Sequence, residues 1–250
     1  MTEQPYPGSK TNSGIFQFLC NHTPHHKRYF ELFAGRATYY SKKRPAEFSY
    51  LAEINPKQVA WLQAKFKDLV PVYEGSALDI LDTWPFETTD FVYLDPPYPA
   101  GARRSGNKLY TFEMLEDELH QPLLQAIKEC PANVMISTSP NELYQLELKD
   151  WHVRDFNTMG HRGPRVERIY MNYDPDKVIL HQYDMLGKDY MERQAIGRKV
   201  DRIAAKLQAL PLHQKHLFFQ EMCKNDPAAV QHFLSIKYNL KRLENSTKRA

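Results

Sequence analysis

Residues 91–101 read FVYLDPPYPAG. Phe91 to Leu94 have the continuous hydrophobicity of a strand buried on both faces, and they run directly into Asp95, Pro96, Pro97 and Tyr98. Proline lacks a backbone donor and has a fixed φ, so neither a ladder nor a helix continues through the pair. The prolines also hold Asp95 and its successors in extended conformations. The Asp95 carboxylate and the Pro96 carbonyl are thereby aimed at one fixed point, and two converging acceptors suit an amino group. The plainer alternative is a buried strand stopped by prolines, with Tyr98 an ordinary surface side chain.

Working outward, residues 28–94 alternate short apolar strands with helical stretches: YFELFAG (29–35), FSYLAEI (48–54), the helix PKQVAWLQAKFKDL (56–69), and VPVYEGSALDIL (70–81) before the quoted strand. This rhythm predicts a parallel sheet with crossover helices. Downstream, EDELHQPLLQAIKEC (116–130) reads as a helix, ANVMISTS (132–139) as a strand and NELYQLEL (141–148) as a helix. WHVRDFNT (151–158) and RVERIYMNYD (165–174) flank the loop MGHRGP and read as a closing antiparallel pair, since antiparallel strands need only a short connection. After Asp174 the strand pattern stops. Met191, Ile196, Val200, Ile203 and Leu207, and then Leu217, Phe218 and Met222, recur at helical spacing. The expectation is an α/β domain over 1–175 and a helical carboxyl-terminal appendage over 176–250 that ends in a basic tail.

The 250 residues are 42% hydrophobic and 25% charged, enough to bury an ordinary core. Cys20, Cys130 and Cys223 lie far apart without a CxxC pair, so neither a metal site nor a disulfide framework is expected. The start lacks a secretory pattern and the chain has no long apolar run, which points to the cytoplasm and away from membranes. A net charge of +3 permits a nucleic-acid partner without requiring one.

In a parallel sheet, ligands bind at the carboxyl ends of the strands. ELFAGRA (31–37) is a strand entering a tight turn, where Gly35 lets backbone approach a ligand closely. Glu53 follows Gly35 by 18 positions, about the ~20-residue separation at which an acid reaches ribose hydroxyls. Asp79 follows the next strand. Three acids and a glycine turn at consecutive strand ends describe a nucleoside pocket, although each acid alone also reads as a turn former or helix cap. An exocyclic base nitrogen is a poor nucleophile because its lone pair is delocalised into the ring. Accepting its two hydrogens on Asp95 and Pro96 favours the tetrahedral form that attacks a methyl group. Tyr98 would then stack on a base turned out of its helix, offsetting part of an unstacking cost of about a few kcal/mol.

In these motifs the chain resembles the amino methyltransferases that use S-adenosylmethionine, and in particular the D12 class of adenine-N6 DNA methylases to which Dam-like enzymes belong. The likeness covers residues 5–174: PYPGSK (5–10), ELFAGRA, the tetrapeptide DPPY (95–98), YTFEM (110–114), NELY (141–144) and RVERIYMNYD. Small, often phage-encoded members share the downstream segments. Ala37 stands where the family's FxGxG motif has its second glycine. The resemblance implies a Rossmann-like methyltransferase sheet. It implies further that Tyr6, Lys10, Glu31, Phe33 and Gly35 contact the methionine part of S-adenosylmethionine and the adjoining ribose, Glu53 the ribose hydroxyls and Asp79 the cofactor's adenine. Asp95, Pro96, Pro97 and Tyr98 would form the catalytic motif.

Only about sixty residues separate Gly35 from Asp95, too few to hold the recognition domain that larger Dam-like enzymes carry there. Double-stranded DNA would then meet the loop after the catalytic motif, where Arg103, Arg104 and Lys108 lie among glycines; arginine bonds two acceptors on guanine or a phosphate. Alternate arginines Arg162, Arg165 and Arg168 and the basic face of the appendage are further candidates, and the appendage's apolar stripe suggests docking on the sheet domain or on a second copy. An RNA adenine-N6 methylase is the runner-up, a cytosine-N4 enzyme fits less well because its motif usually begins with Ser, and a regulator that has lost catalysis is the rival from another class.

Overall fold

The computed structural model describes residues 14–99, 112–160, 163–231 and 234. Tyr6, Lys10, Arg103, Arg104, Lys108 and Arg162 lie outside them.

Seven strands form one sheet in the order β3-β2-β1-β4-β5-β7-β6: β1 (Arg28–Leu32), β2 (Phe48–Glu53), β3 (Val72–Glu74), β4 (Phe91–Leu94), β5 (Asn133–Thr138), β6 (His152–Gly160) and β7 (Gly163–Met171). Pairings among β1 to β5 are parallel, whereas β7 runs antiparallel to both β5 and β6. The expected closing pair is present, and β7 is inserted between β5 and β6. The helices of this part are α1 (Ile15–Cys20), α2 (Thr38–Lys42), α3 (Pro56–Phe66), α4 (Ala77–Thr83), α5 (Asp117–Glu129) and α6 (Glu142–Glu147). The stretch 70–81 divides into β3 and α4. Ser76 ends the extended run by capping the Leu78 amide at 3.1 Å.

Strand alternation divides the core. Phe30, Leu32, Val92, Leu94, Val134, Ile136 and Tyr170 pack with Leu123, Leu124 and Ile127 of α5. Tyr29, Phe91, Tyr93, Met135, Ile169 and Met171 pack on the other face with Phe16, Leu19 and Cys20 of α1 and Tyr39 of α2. A third cluster joins Leu62 and Phe66 of α3 to Leu51 and Ala37. Every residue of β4 is buried, as expected for a strand covered on both sides. The order reverses between β1 and β4, and this switch point opens the crevice at the carboxyl edge.

The chain divides into two compact units, Met1–Arg193 and Gln194–Ala250. Residues 173–187, beyond β7, are tied to the first unit. Tyr173 donates to the His22 carbonyl, a bridge joins Pro24 to Leu180, the His181 amide donates to the Thr23 carbonyl, and Gln182 accepts from the Arg44 amide. Beneath this strap the His26 and His181 rings stack at 3.9 Å. His26 Nδ1 donates to the Pro24 carbonyl, so its Nε2 accepts from the buried Lys43 ammonium at 3.2 Å. Burial holds both imidazoles below their ordinary range, His181 at about 3.

The second unit contains α7, which begins ahead of it (Tyr190–Ala209), and α8 (Leu212–Asn225). Neither has a buried residue. No helix among the described residues is long and apolar enough to cross a membrane.

Candidate active site

After β1 the chain makes a turn with three residues in the left-handed region: Phe33 (φ 69°), Gly35 (φ 52°) and Ala37 (φ 46°). Only glycine adopts this freely. A bulky residue there costs about 1–3 kcal/mol, and such outliers cluster at functional sites. Glu53, at the end of β2, holds the turn: its carboxylate accepts from the Gly35 amide at 2.7 Å and the Asn55 amide at 2.9 Å. The Ala34 amide donates to the Ala52 carbonyl at 2.9 Å and seals the loop against β2. Ala37 occupies the left-handed position that starts α2, which is the physical reason a glycine suits that place.

Glu31 is buried on the same sheet face as Tyr29 and Tyr93. One carboxylate oxygen accepts from the Tyr29 hydroxyl at 2.6 Å and the Tyr40 amide at 2.9 Å. Burial nevertheless raises its pKa to about 7, and the charge of Asp95 pushes in the same direction. Its acidity therefore responds to whatever charge is placed beside it.

At the end of β4 the register sets Leu32 beside Leu94 and Leu94 beside Ile136. The following residues, Phe33, Asp95 and Ser137, consequently stand side by side at the carboxyl edge. Asp95 Oδ1 accepts from the Ser137 hydroxyl at 2.8 Å. With its proton given to Asp95, Ser137 accepts in turn from the buried Tyr93 hydroxyl at 3.1 Å. Pro96 is buried and Pro97 partly so. The Tyr98 hydroxyl lies 2.5 Å from Glu167 Oε2 and 3.4 Å from Asp95 Oδ1. It has one proton to give, and the short contact with Glu167 takes it. Burial, followed by the charges of Glu167 and Asp95, raises the Tyr98 pKa well above the usual phenol range, so the hydroxyl remains a donor. Arg165 lies 2.5 Å from the other oxygen of Glu167.

The structure thus gathers Glu31, Phe33, Gly35, Glu53, Asp95 and the DPPY segment at one edge. Asp79 is exposed at the third position of α4, where its carboxylate accepts from the Ser76 amide at 3.3 Å in a capping box and from the Tyr73 hydroxyl at 3.4 Å. Arg168 does not join the pocket: it pairs with Asp155 across β6 at 2.7 Å. Ser137 and Glu167 were missed in the sequence, since other polar residues share their strands, Asn133 and Thr138 on β5 and Arg165 and Arg168 on β7, and local sequence does not single either out. Among the described residues no group of three His, Cys, Asp or Glu side chains is placed to hold a metal ion.

No protein-family model matches the chain, and no curated protein matches it. Solved structures do. Precorrin-6y C5,15-methyltransferase from Geobacter metallireducens is 12% identical, with 67% of this chain and 93% of that one covered at a TM-score of 0.44. TrmK of M. capricolum, in complex with the natural cofactor product S-adenosyl-homocysteine, is 10% identical over 86% of this chain and 96% of that one, at 0.43. The putative methyltransferase yhhF from Escherichia coli is 16% identical over 67% and 89%, at 0.44. The chain's own sheet order and crossover helices are those of an α/β Rossmann-like fold, followed by carboxyl-terminal helices. At these identities and scores the likeness carries across neither ligand nor substrate.

Proposed function

We propose that this protein is a DNA methyltransferase that acts on the N6 amino group of adenine, with S-adenosylmethionine as its methyl donor. The observation that carries the reading is Asp95: an acid at the switch point, followed by two prolines, held by Ser137 and flanked by an aromatic ring.

The residues at the carboxyl edge fit the donor. Glu53 uses one lone pair on each oxygen for the Gly35 and Asn55 amides, and a carboxylate has about four acceptor sites, so ribose hydroxyls can share it. Glu31, poised at about 7, suits the methionine ammonium, because a neighbouring cation would pull its pKa back down. Phe33 and Gly35 follow β1, Asp79 stands in the first turn of α4 after β3, and Tyr6 and Lys10 complete the assignment by the family likeness. S-adenosylmethionine, when bound, supplies an electrophilic methyl group. Asp95 and the Pro96 carbonyl accept the two hydrogens of the target amino group and keep its lone pair on nitrogen. Tyr98 offers its ring to the extruded base.

The partner is double-stranded DNA, met by Arg103, Arg104 and Lys108 after Tyr98. The appendage supports a second contact: Arg198, Lys199, Arg202 and Lys206 are all exposed on α7, and 3.6-residue geometry places them within an arc of about 100°. Beside them Ile196, Val200, Ile203 and Leu207 form an apolar stripe, with Val200 56% exposed, which supports self-association through the appendage. Asp95 and Pro96 address the amino group and not the sugar, so adenine in RNA meets the same acceptors.

The test is to express the protein in cells without adenine methylation, map N6-methyladenine in their DNA and RNA, and measure S-adenosylmethionine binding by calorimetry. Marks at defined DNA sites that vanish with Asp95→Ala are expected, with binding of the donor retained. Marks in RNA alone would transfer the reading to RNA. No binding of S-adenosylmethionine would favour a regulator without catalysis.

A further inference from the structure

Glu167 is a buried carboxylate with no role in the chemistry described so far. It sits on β7 in line with Ile169 and Met171, which belong to the apolar core on that face, and it is 2% exposed. A charge in such a place costs several kcal/mol unless it is bonded well, and the sheet does not require it. Its oxygens face Tyr98 and Arg165, each at 2.5 Å.

The geometry around Tyr98 shows what the acid accomplishes. The tyrosine hydroxyl stands between two carboxylates, Glu167 at 2.5 Å and Asp95 at 3.4 Å. Removing the nearer acceptor leaves the same proton facing Asp95. A bond from Tyr98 to Asp95 would fill the second lone pair of Oδ1, which Ser137 already uses, draw charge away from the carboxylate that the target amino group needs, and turn the ring away from its present setting.

We propose that Glu167 is a positioning residue for methyl transfer: by taking the Tyr98 proton it fixes the ring as one wall of the base pocket and keeps that proton off Asp95. The inference rests on the methyl-transfer reading above and names a residue which that reading does not use. The chemistry assigns Glu167 no contact with the substrate: the proposed effect on transfer passes through Tyr98, and the contact with Arg165 bears on stability, which the thermal midpoint reads separately.

The experiment measures kcat, KM for DNA, donor affinity and thermal midpoint for the full chain and for Glu167→Gln, Glu167→Leu, Tyr98→Phe and the pairs of Tyr98→Phe with each Glu167 variant. Glu167→Leu should lower kcat at least about 10-fold with donor affinity unchanged, and Glu167→Gln, which keeps an acceptor, should fall less. Adding Tyr98→Phe to Glu167→Leu removes the misdirected proton but keeps a ring, and should recover at least about 3-fold in kcat. A merely structural role predicts further loss in the pair instead. Wild-type turnover in Glu167→Leu, or a pair no faster than Glu167→Leu alone, overturns the proposal. Should the Leu variant not fold, the test passes to the Gln variant: its effect must disappear when residue 98 is already Phe, and a persisting effect overturns the proposal. A wild-type protein that binds the donor but methylates no nucleic acid overturns the function reading, and this inference with it.

Discussion

Ser137→Ala separates the two bonds that meet at the Ser137 hydroxyl. Asp95 loses a donor at 2.8 Å, and the Tyr93 hydroxyl, on a side chain 1% exposed, loses its acceptor at 3.1 Å. An orphaned buried hydroxyl costs about 1–3 kcal/mol, and a hydrogen bond to a charged group contributes about 1.5–3 kcal/mol. Asp95 is only partly buried and recovers some of its loss from water, so the stability deficit should be about 2 kcal/mol, mostly from Tyr93. Urea denaturation measures that deficit, and transfer of radiolabelled methyl from S-adenosylmethionine to DNA measures activity. Adding Tyr93→Phe removes the orphan, and replacing both partners of a bond is often nearly neutral. The pair should therefore return to within about 1 kcal/mol of the parent in stability. Activity should stay about 10-fold down, because Asp95 still lacks its donor. A pair that regains activity along with stability would refute the role given to Ser137 in holding Asp95. So would a single variant as stable and active as the parent.

Three other outcomes follow from the same geometry. Glu53→Ala frees the Gly35 and Asn55 amides and should weaken S-adenosylmethionine binding by about 1–3 kcal/mol; unchanged affinity in calorimetry would leave Glu53 only a clamp on the turn. Ala37→Gly relieves a left-handed residue, worth about 1–2 kcal/mol, but deletes a buried methyl worth about 0.8 kcal/mol and frees the unfolded chain. Stability should stay within about 1 kcal/mol, and a loss above about 2 kcal/mol in urea would show that packing outweighs the backbone there. The third concerns pH. His22, His26 and His181 have lowered pKa values, so the unfolded chain binds more protons below 6.5, and stability falls on acidification; Glu31, raised to about 7, works in the opposite sense between 4.5 and 7. The histidines prevail, and stability should rise from pH 5 to pH 6 by at least about 1 kcal/mol. A fall across that interval, read from urea midpoints, would contradict the buried neutral imidazoles.

The sheet was legible because its strands carry their own signal. FVYL is apolar throughout, as a strand covered on both sides must be, and FSYLAE and ANVMISTS repeat that signal at crossover intervals. The stretch 70–81 blurred because Val72–Glu74 is short and the helix after it depends on Ser76 and Asp79 acting together. At the site, Asp95 was visible through its prolines, which constrain backbone locally. Glu167 was not, because its partner lies 69 residues away in sequence and only the β4–β5 and β5–β7 pairings together bring the two into one layer. Asp79 was visible as a strand-end acid, but local sequence does not distinguish an acid capping its own helix from one left for a ligand. The Lys43–His26–His181 cluster gave no signal, because its members come from three segments that meet only in the folded protein.

The strap over that cluster decides where the chain can be cut. The motifs that carry the family resemblance end at Asp174, yet a fragment ending near residue 176 would discard Leu180, His181 and Gln182 and uncover Lys43 and the His26 ring, which packs 5.1 Å from Phe91 of the central strand. Limited proteolysis should therefore settle on a core that keeps everything through Gly187, whose carbonyl accepts from Asn21, and nibbling further back should bring unfolding rather than a smaller stable piece. The shortest self-sufficient fragment is set by a cover over buried bases, and not by the last residue of the sequence motifs.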